Sequence, residues 1–533
     1  MNFGFIIDNR KCIGCHACTV ACKSEHQVPI GVNRTWVKYI EKGEFPDTRR
    51  LFSVMRCNHC ADAPCVEICP VTALYTRADG IVDFDDRRCI GCKACTQACP
   101  YDALYMHPDN HTAAKCNYCS HRTDIGLEPA CVVVCPEHAI ISGDMDNPNT
   151  EISKLLARET VSVRKEEKGT SPKLFYIDGD KVSLNPTAAN TETDYMWSSQ
   201  ASGVGHFAKY AEERINNSPL REEAVKQNFV QIEPVRKKAR RVYDAPSKGV
   251  LWGWEVSAYV LTKAIAAGAF LLPVAGGYFM EIPWEVKQFG AVLAFIFLAV
   301  TGVLLVMDLG RPDRFLNVLF RPQWKSWLSR GAYIITAYGA VLTAWLAASF
   351  FAYERVLSIL EPAGIALALL TAVYTAFLFA QAKGRDFWQS PMLGLHMIIH
   401  AIMAGFAVFL IASPILDVNF GFRMVVNFLA VAALVFHLIS LAIELTTTHT
   451  TDDAQRTVKM ITRGEFSKPF WFGMILAGNV APLLLLLANN TEALRIYFAE
   501  QSWSAVVAGI LILIGLWFAE DIWVKAPQRI PLS

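Results

Sequence analysis

The second half of the chain is a series of long apolar stretches separated by short polar loops. Each stretch is close to the ~20 residues that an α-helix needs to cross the hydrocarbon core of a bilayer. The pattern therefore predicts an all-α membrane domain with about eight transmembrane helices, and an even number leaves both ends of this domain on one side. The stretches span about 252–280, 286–307, 331–352, 357–380, 393–414, 424–446, 469–489 and 503–524.

The first third of the chain has the opposite pattern, with short apolar runs between many turns. Phe3–Ile7 and Ile81–Phe84 predict short strands, and Lys173–Ile177 predicts a strand at the edge of a sheet. Residues 70–74 and 100–104 predict short helices. Together these elements predict a small α+β domain with two similar halves, a double-ferredoxin arrangement.

The average composition hides the difference between the two halves of the chain. The formal net charge is +1 and 53% of the residues are hydrophobic, but all the cysteines lie in the first half. This asymmetry predicts three parts: a domain at 1–180, a polar and basic connector at 181–249 and a membrane domain at 250–528. The net charge near zero gives no support to nucleic-acid binding.

The cysteines carry the strongest chemical signal. Three cysteines on one tight turn, followed by a fourth that binds a different cluster, is the arrangement of bacterial ferredoxins. The sixteen cysteines are enough for four [4Fe–4S] clusters with none left over. The sets are Cys12, Cys15, Cys18 and Cys22; Cys57, Cys60, Cys65 and Cys69; Cys89, Cys92, Cys95 and Cys99; and Cys116, Cys119, Cys131 and Cys135.

Two other uses of cysteine fit the sequence less well. Disulfides suit small secreted proteins, and residues 1–11 contain no apolar core that would serve as a signal peptide. Structural zinc takes four ligands, usually from two separated pairs, whereas here three cysteines crowd into seven residues. The pattern favours iron–sulfur clusters over both.

The loop charges predict the orientation of the membrane domain. Nineteen Lys and Arg residues lie on the side of the connector, and four lie in the opposite loops. By the positive-inside rule, this distribution predicts a multi-pass protein of the cytoplasmic membrane with the cluster domain in the cytoplasm. Export of that domain together with a partner that carries a twin-arginine signal stays open, because the partner's signal is not visible in this chain.

Polar side chains collect at the connector-side ends of the membrane helices, where quinone chemistry needs them. A quinone exchanges two electrons and two protons, so its pocket needs a hydrogen-bond donor and a route for protons. Ionisable residues within spans are costly and indicate function by default. The polar residues in this set, all of them ionisable except Gln381, are Glu255, Tyr259, Lys263, Asp308, Arg311, Tyr374, Gln381, His396, His400, His437, Glu444, Glu520 and Asp521.

The histidines raise the alternative of haem b. His396 and His400 are four residues apart and share one helix face, whereas two axial ligands must approach iron from opposite sides. His437 could pair with either one, so a single haem stays open, although the sequence argues against haem.

The N-terminal 180 residues resemble the four-cluster subunit of the dimethyl sulfoxide reductase (complex iron–sulfur molybdoenzyme) family. Residues 250–530 resemble the eight-helix NrfD/polysulfide reductase membrane subunit, so the chain looks like a fusion of two subunits. The first resemblance is carried by 12–18, 56–60 and 115–119, and the second by 308–312, 314–315 and 324–327.

The resemblance implies which cysteines share a cluster and where quinone binds. Cys12, Cys15 and Cys18 would share a cluster with Cys135; Cys116, Cys119 and Cys131 with Cys22; Cys57, Cys60 and Cys65 with Cys99; and Cys89, Cys92 and Cys95 with Cys69. A menaquinone or ubiquinone pocket is implied at Glu255, Asp308, Arg311 and Tyr374.

The resulting hypothesis is an electron-transfer and quinone-reactive membrane subunit that itself catalyses no substrate reaction. It would relay electrons between a molybdopterin-containing catalytic partner and the quinone pool of the lipid bilayer. One alternative is a redox-driven proton or ion translocator whose relay comprises Glu255, Lys263, Glu444 and Asp521. Another is a relay from quinol to a cytochrome partner without molybdenum.

Overall fold

The structure is a computed structural model that describes residues 1–44, 46–191, 239–245, 247–416, 420–449, 451–489 and 503–533. The described residues form two compact units. The N-terminal unit comprises Met1–Leu251 and Pro531–Ser533, and the membrane unit comprises Trp252–Ile530.

The N-terminal unit is built from short strands and short helices. The strands are β1 (Phe3–Asp8), β2 (Thr35–Glu44), β3 (Asp47–Arg56), β4 (Leu74–Thr76), β5 (Val82–Phe84), β6 (Leu104–Met106), β7 (Ala113–Lys115), β8 (Ile140–Asp144), β9 (Val161–Ser162), β10 (Leu174–Ile177), β11 (Asn190–Thr191) and β12 (Ala239–Tyr243). The helices are α1 (Ala17–His26), α2 (Pro64–Ile68), α3 (Ala94–Ala98), α4 (Ser120–Thr123), α5 (Ala130–Val133), α6 (Glu151–Arg158) and α7 (Lys181–Leu184).

Two four-stranded sheets and two hairpins organise this unit. The first sheet has the order β8-β1-β10-β9, and the second has the order β11-β12-β2-β3. The hairpins β4–β5 and β6–β7 each follow the last cysteine of a set. Strands β1 and β5 precede the first and third cysteine sets, as the repeat in the sequence predicts.

The expectation that Lys173–Ile177 forms an edge strand is wrong. Strand β10 pairs in parallel with β1 on one side and antiparallel with β9 on the other, so it lies inside the sheet. The edge is formed by the two-residue strand β9, which is too short to leave a pattern in the sequence.

The expected helices at 70–74 and 100–104 are also absent from the described structure. Each segment is instead a turn that leads into a strand, and the helices α2 and α3 precede the last cysteine of each set. The reason is backbone conformation, because Thr72 and Asp102 have φ angles of 51° and 57°. A left-handed residue ends a right-handed helix before its first turn is complete.

The ends of the predicted connector take part in the fold of the N-terminal unit. Helix α7 and strand β11 lie at its start, and β12 lies near its end. Strand β12 pairs with both β11 and β2. Arg236, Lys237 and Lys238 of the basic run lie outside the described residues.

Within the described residues of the membrane unit, eight helices are long and apolar enough to cross a bilayer, as the hydropathy pattern predicts. We number them 1 to 8. Membrane helices 1 to 4 are Trp254–Gly276, Trp284–Met307, Trp327–Phe350 and Glu354–Gln381. Membrane helices 5 and 6 are Met392–Ala412 and Phe420–Thr446; helix 7 is a π-helix, Pro469–Val480, continued by the α-helix Ala481–Asn489; and helix 8 is Trp503–Lys525.

The membrane helices pack as two bundles of four. Helices 1 to 4 contact one another in a closed order, and helices 5 to 8 do the same. The bundles meet mainly through helices 1 and 5, where Gly268 and Gly405 let the two backbones touch. A Cβ on Gly268 would overlap the carbonyl oxygen of Ala401. Small residues that allow close backbone approach are typical of helix contacts in membranes.

Candidate iron–sulfur and quinone sites

The structure brings the sixteen cysteines together in four groups of four. Each group combines three cysteines from one set with a fourth from another, and electrostatic interactions join the members of each group. Two of the groups, the one that contains Cys12 and the one that contains Cys69, each line a cavity with all four of their cysteines. We call the groups quartet 1 (Cys12, Cys15, Cys18, Cys135), quartet 2 (Cys22, Cys116, Cys119, Cys131), quartet 3 (Cys57, Cys60, Cys65, Cys99) and quartet 4 (Cys69, Cys89, Cys92, Cys95).

The quartets follow one another in a row. Cys18 of quartet 1 interacts electrostatically with Cys131 of quartet 2. Cys57 of quartet 3 interacts with Cys116 of quartet 2. The interaction of Cys95 with Cys65 links quartet 4 to quartet 3. The resulting order is 1, 2, 3, 4.

The fourth cysteine of three sets sits in the same turn. In each case the sequence is Cys-Pro followed by two residues and Ala, and the second of the two residues has a positive φ. The turn directs a backbone N–H back to the sulfur: Ala73 donates to Sγ of Cys69 and Ala139 to Sγ of Cys135, both at 3.2 Å. The amide of Ala103 bonds Cys99 in the same way. Such donors stabilise the negative charge on thiolates that bind iron.

Two buried cations lie between neighbouring quartets. Arg56 is fully buried and interacts with Cys18, Cys116 and Cys131, which belong to quartets 1 and 2. Lys115 is also fully buried, donates a 2.8 Å hydrogen bond to the carbonyl oxygen of Cys116 and interacts with Cys57 of quartet 3. Four thiolates bound to one cluster give a net negative group, and a buried negative charge needs a nearby positive one.

Most of the thiols lie deep in the N-terminal unit. Burial raises the pKa of Cys18 to about 12, although the charge of Arg56 opposes the shift. Burial likewise raises the pKa of Cys119 to about 12. Iron binding must therefore displace protons from these thiols, and cluster assembly is coupled to their release. The donor set fits iron–sulfur clusters, since it offers four sulfurs a site together with N–H donors and buried cations.

A positively charged residue stands directly before the first cysteine of every set. These residues are Lys11, Arg56, Arg88 and Lys115. Only Arg56 and Lys115 are buried, whereas Lys11 and Arg88 are exposed. None of these four cations was predicted to take part in the site. The sequence alone does not separate the two buried cations from the two exposed ones, because burial depends on the distant strands that cover them.

Two of the four residues expected at the quinone pocket come together in the membrane unit. Asp308 follows directly after membrane helix 2, and the buried Tyr374 lies in helix 4. Both interact electrostatically with Tyr259 of helix 1, which also bonds Thr375. The ring of Tyr374 lies against Gly331 of helix 3, where a Cβ would overlap the ring.

Lys263 completes this polar group, which sequence reasoning named residue by residue but did not assemble. Its ammonium donates hydrogen bonds to Oγ1 of Thr375 at 2.6 Å and to the carbonyl oxygen of Ala372 at 3.0 Å. It also lies 4.8 Å from the centre of the Tyr374 ring. A buried cation held this way is an unusual and costly feature of a membrane helix.

The other two expected pocket residues have different surroundings. Arg311 makes two hydrogen bonds to the carboxylate of Asp313, at 3.0 and 2.9 Å, and is partly exposed. Glu255 lies in the first turn of membrane helix 1 and is half-buried. Among the contacts of the described residues, none joins either side chain to Tyr259 or Tyr374.

Comparison with known proteins identifies both parts of the chain. Residues 244–520, just over half of the sequence, match the family described as "Polysulphide reductase, NrfD". The protein therefore belongs to the NrfD polysulphide reductase family. Residues 11–74 and 48–145 match two families described as "4Fe-4S dicluster domain". The resemblance, the α+β iron–sulfur domain and the eight-helix membrane domain expected from the sequence are thereby confirmed.

The relatives of the iron–sulfur domain are components of several reductases. A subunit of the tetrathionate reductase of Salmonella typhimurium is 43% identical over 34% of this chain and 75% of its own length. A component of the polysulfide reductase of Wolinella succinogenes is 43% identical over 34% of this chain and 97% of its own. The arsenate respiratory reductase iron–sulfur subunit ArrB of a Shewanella strain is 33% identical over 33% and 96%. This NrfD-family protein thus carries in one polypeptide an iron–sulfur domain similar to those components and a multi-pass membrane domain.

Proposed function

We propose that the chain transfers electrons between a molybdopterin-containing catalytic subunit and a quinone of the membrane. The observation that carries the proposal is the row of four quartets, which gives electrons a continuous path within one domain. The reductase components similar to that domain support a catalytic partner. Electron transfer, rather than substrate chemistry, is then the work of this protein.

All sixteen cysteines serve as ligands in this proposal, with one [4Fe–4S] cluster for each quartet. The clusters supply one-electron transfer when bound. The protein holds neighbouring sites together by its interleaved ligands, because Cys18 and Cys22 lie on the same short helix, α1, but belong to different quartets. Arg56 and Lys115 offset the negative charge at the first two junctions.

The membrane unit supplies the quinone site in this proposal. Asp308 and Tyr374 are placed at the quinone head group, with Tyr259 between them as a hydrogen-bond donor. Asp308 takes or gives the proton that accompanies each electron transfer, since a carboxylate is a suitable base for a hydroquinone hydroxyl. Glu255 and Arg311 are placed at the entrance of the pocket because they lie at the end of helix 1 and in the loop after helix 2. Either a menaquinone or a ubiquinone suits this set of groups.

The proposed setting is the cytoplasmic membrane, with the iron–sulfur domain on the cytoplasmic side. The excess of Lys and Arg in the connector-side loops supports this orientation. Arg236, Lys237, Lys238 and Arg495, which are part of that comparison, lie outside the described residues.

The Asp308→Asn variant tests the quinone site. Asparagine matches aspartate in size and cannot accept a proton at neutral pH, so quinone-dependent oxidation of the reduced clusters should slow on the order of a hundredfold. The rate is followed by the visible absorbance of the clusters after mixing the reduced full-length protein with a short-chain quinone.

Asp313→Asn is the matched control, because Asp313 lies in the same loop, is mostly exposed and pairs with Arg311. It should keep the wild-type rate, and electron paramagnetic resonance should show intact clusters in both variants. An unchanged rate in Asp308→Asn with intact clusters would overturn this assignment of the site.

A further inference from the structure

The second membrane bundle contains a buried series of hydrogen bonds that no part of the proposed quinone site uses. Nδ1 of His400 lies 2.7 Å from Oε1 of Glu520, and Nε2 of His400 lies 3.2 Å from Nε2 of His437. Nδ1 of His437 lies 2.7 Å from Oδ1 of Asn479. All four side chains are almost fully buried. Both ring nitrogens of His400 and of His437 are therefore engaged by protein atoms.

The far end of this series fixes the position of its protons. The side-chain amide of Asn479 donates from Nδ2 to the carbonyl oxygen of Met474 at 2.7 Å, within the π-helix. Its Oδ1 therefore faces His437 and can only accept, so Nδ1 of His437 carries a hydrogen. Nε2 of a neutral His437 is then an acceptor, and Nε2 of His400 must donate to it.

One exchangeable proton remains at the other end, between His400 and Glu520. It can sit on Nδ1 of His400, which gives an imidazolium beside a carboxylate, or on Glu520, which gives two neutral groups. Both forms keep every hydrogen bond in the series. Loss of this proton leaves Nδ1 of His400 and Oε1 of Glu520 as two acceptors, so the 2.7 Å contact is the state that holds the proton, and the two groups must separate when it leaves.

Among the residues that the structure describes, the series ends at Asn479 and does not continue across the membrane. An amide does not titrate near neutral pH, and beyond it helix 7 contains only apolar residues and Asn489. Towards the N-terminal end of helix 6, the next polar residue after His437 is Asn427, ten residues or ~15 Å along the helix. This geometry suits a site that holds a proton rather than a conduit, and it argues against a translocation route through these groups.

Glu520 is also coupled to the polar group of the first bundle. It interacts electrostatically with both Lys263 and Tyr259. Tyr259 in turn interacts with Asp308 and Tyr374. The phenol of Tyr259 thus interacts with two carboxyl groups, that of Asp308 at the proposed quinone site and that of Glu520 beside His400.

We propose that His400 and Glu520 form a proton-storage site that takes one of the two protons released when a quinol is oxidised. The proposal rests on the proposed function. Oxidation breaks the two O–H bonds of the quinol; its two electrons go singly to the iron–sulfur clusters, one proton goes to Asp308 and the other to the His400–Glu520 pair. Before the next quinol is oxidised, the pair gives its proton back towards Asp308 through Tyr259, which interacts with both carboxyl groups.

The charge balance of the site depends on its titratable neighbours. His396 and Glu444 form a separate buried pair, with Nδ1 and Oε2 3.1 Å apart. Asp521 of helix 8 accepts a hydrogen bond from Ser257 and pairs with Lys525 at 2.6 Å. The titratable groups that interact with the site are Tyr259 and Lys263 of helix 1, which interact with Glu520, and His396 and His437, whose rings lie 6.2 and 5.0 Å from that of His400; Tyr374, Glu444, Asp521 and Lys525 are the further titratable groups on the surrounding helices.

Infrared difference spectroscopy tests the proposal on the full-length protein with its clusters. A short-chain quinol is added to the oxidised protein with ferricyanide as the terminal acceptor. The wild type should show two carboxylic-acid C=O bands that shift in D₂O, one from Asp308 and one from Glu520, because the stored proton resides partly on Glu520. The Glu520 band should be lost in Glu520→Gln while the Asp308 band remains, and quinol oxidation should slow about tenfold.

Glu444→Gln is the matched control, since it removes an equally buried carboxyl group that pairs with a histidine one turn from His400. Both bands should persist there. Glu520→Asp keeps a carboxyl group and serves if Glu520→Gln does not fold; its band should move in frequency. If both bands persist in Glu520→Gln, or if neither band moves in Glu520→Asp, the proposal is overturned.

The two proposals fail in different ways. If quinol delivers electrons to the clusters of the wild type but only the Asp308 band accompanies them, the storage site is wrong and the proposed function stands. If quinol delivers no electrons to clusters that dithionite reduces, the proposed function is wrong, and the storage site falls with it.

Discussion

Individual side chains around the quartets contact the cysteine sulfurs and change their hydrogen bonding and charge. His26 is the clearest case, because its Nε2 lies 3.1 Å from Sγ of Cys119. Burial, aided by the charges of Arg34 and His121, lowers the pKa of His26 to about 4, so the ring is neutral at neutral pH. A thiolate bound to iron can only accept, and the ring therefore donates its N–H to the sulfur.

Replacing His26 with Ala should lower the reduction potential of the cluster at quartet 2. In the wild type, the N–H donor stabilises the reduced cluster, which carries more negative charge, and the variant loses this stabilisation. A difference on the order of 1 kcal/mol between the two oxidation states corresponds to roughly 40 mV for one electron. A redox titration followed by electron paramagnetic resonance measures the potential. His26→Gln keeps an N–H donor and should stay close to the wild type, while an unchanged potential in His26→Ala would show that the contact has no influence.

The sequence predicts the cysteine ligands because their chemistry is local and their spacing is tight. It does not predict the contributions of His26, Arg56 and Lys115, since each depends on segments far apart in the sequence that fold over the same sulfur atoms. The residues proposed for the quinone site are an intermediate case. Asp308 and Tyr374 were expected from family resemblance, and the structure brings Tyr259 and Lys263 to them.

The helices of the membrane unit are fixed by apolar length, but their packing depends on a few small residues. Length and hydropathy predict eight spans, and eight are found among the described residues. They do not predict that Gly268 lies against the backbone of helix 5. They also do not predict the π-helix of helix 7, within which Asn479 bonds Met474.

Gly268→Ala should destabilise the membrane unit by about 1–3 kcal/mol, because the added methyl group forces two packed backbones apart. The fraction of the protein that stays monodisperse in detergent on heating measures the effect. Gly302→Ala is the matched control, since a Cβ there meets no atom within 4 Å. Its stability should equal or exceed that of the wild type, and equal losses in both variants would contradict the packing argument.

Shorter elements show the limits of reading a pattern. Residues 70–74 and 100–104 have apolar spacing that suits a helix, yet the Cys-Pro turn requires a left-handed residue and an amide directed at sulfur. Strand β10 is apolar enough for either an edge or an interior position, and its partner β9 has only two residues. In both places a contact with a distant group overrides the local preference.

At the scale of the whole molecule, the protein joins an iron–sulfur domain to a multi-pass membrane domain. The division of charge and apolar residues along the sequence predicts this arrangement. Neither the order of the quartets nor the separate buried pair of His400 and Glu520 can be read from spacing, because both arise when segments from different parts of the sequence come together.

The interleaving of the quartets is the central claim, and electron paramagnetic resonance of three single variants tests it most directly. Cys22→Ser and Cys116→Ser change residues that are far apart in the sequence but belong to quartet 2, so both should alter the same cluster signal. Cys18→Ser changes a residue on the same short helix as Cys22 and should alter a different signal, that of quartet 1. If Cys18→Ser and Cys22→Ser alter one signal while Cys116→Ser alters another, the account is contradicted.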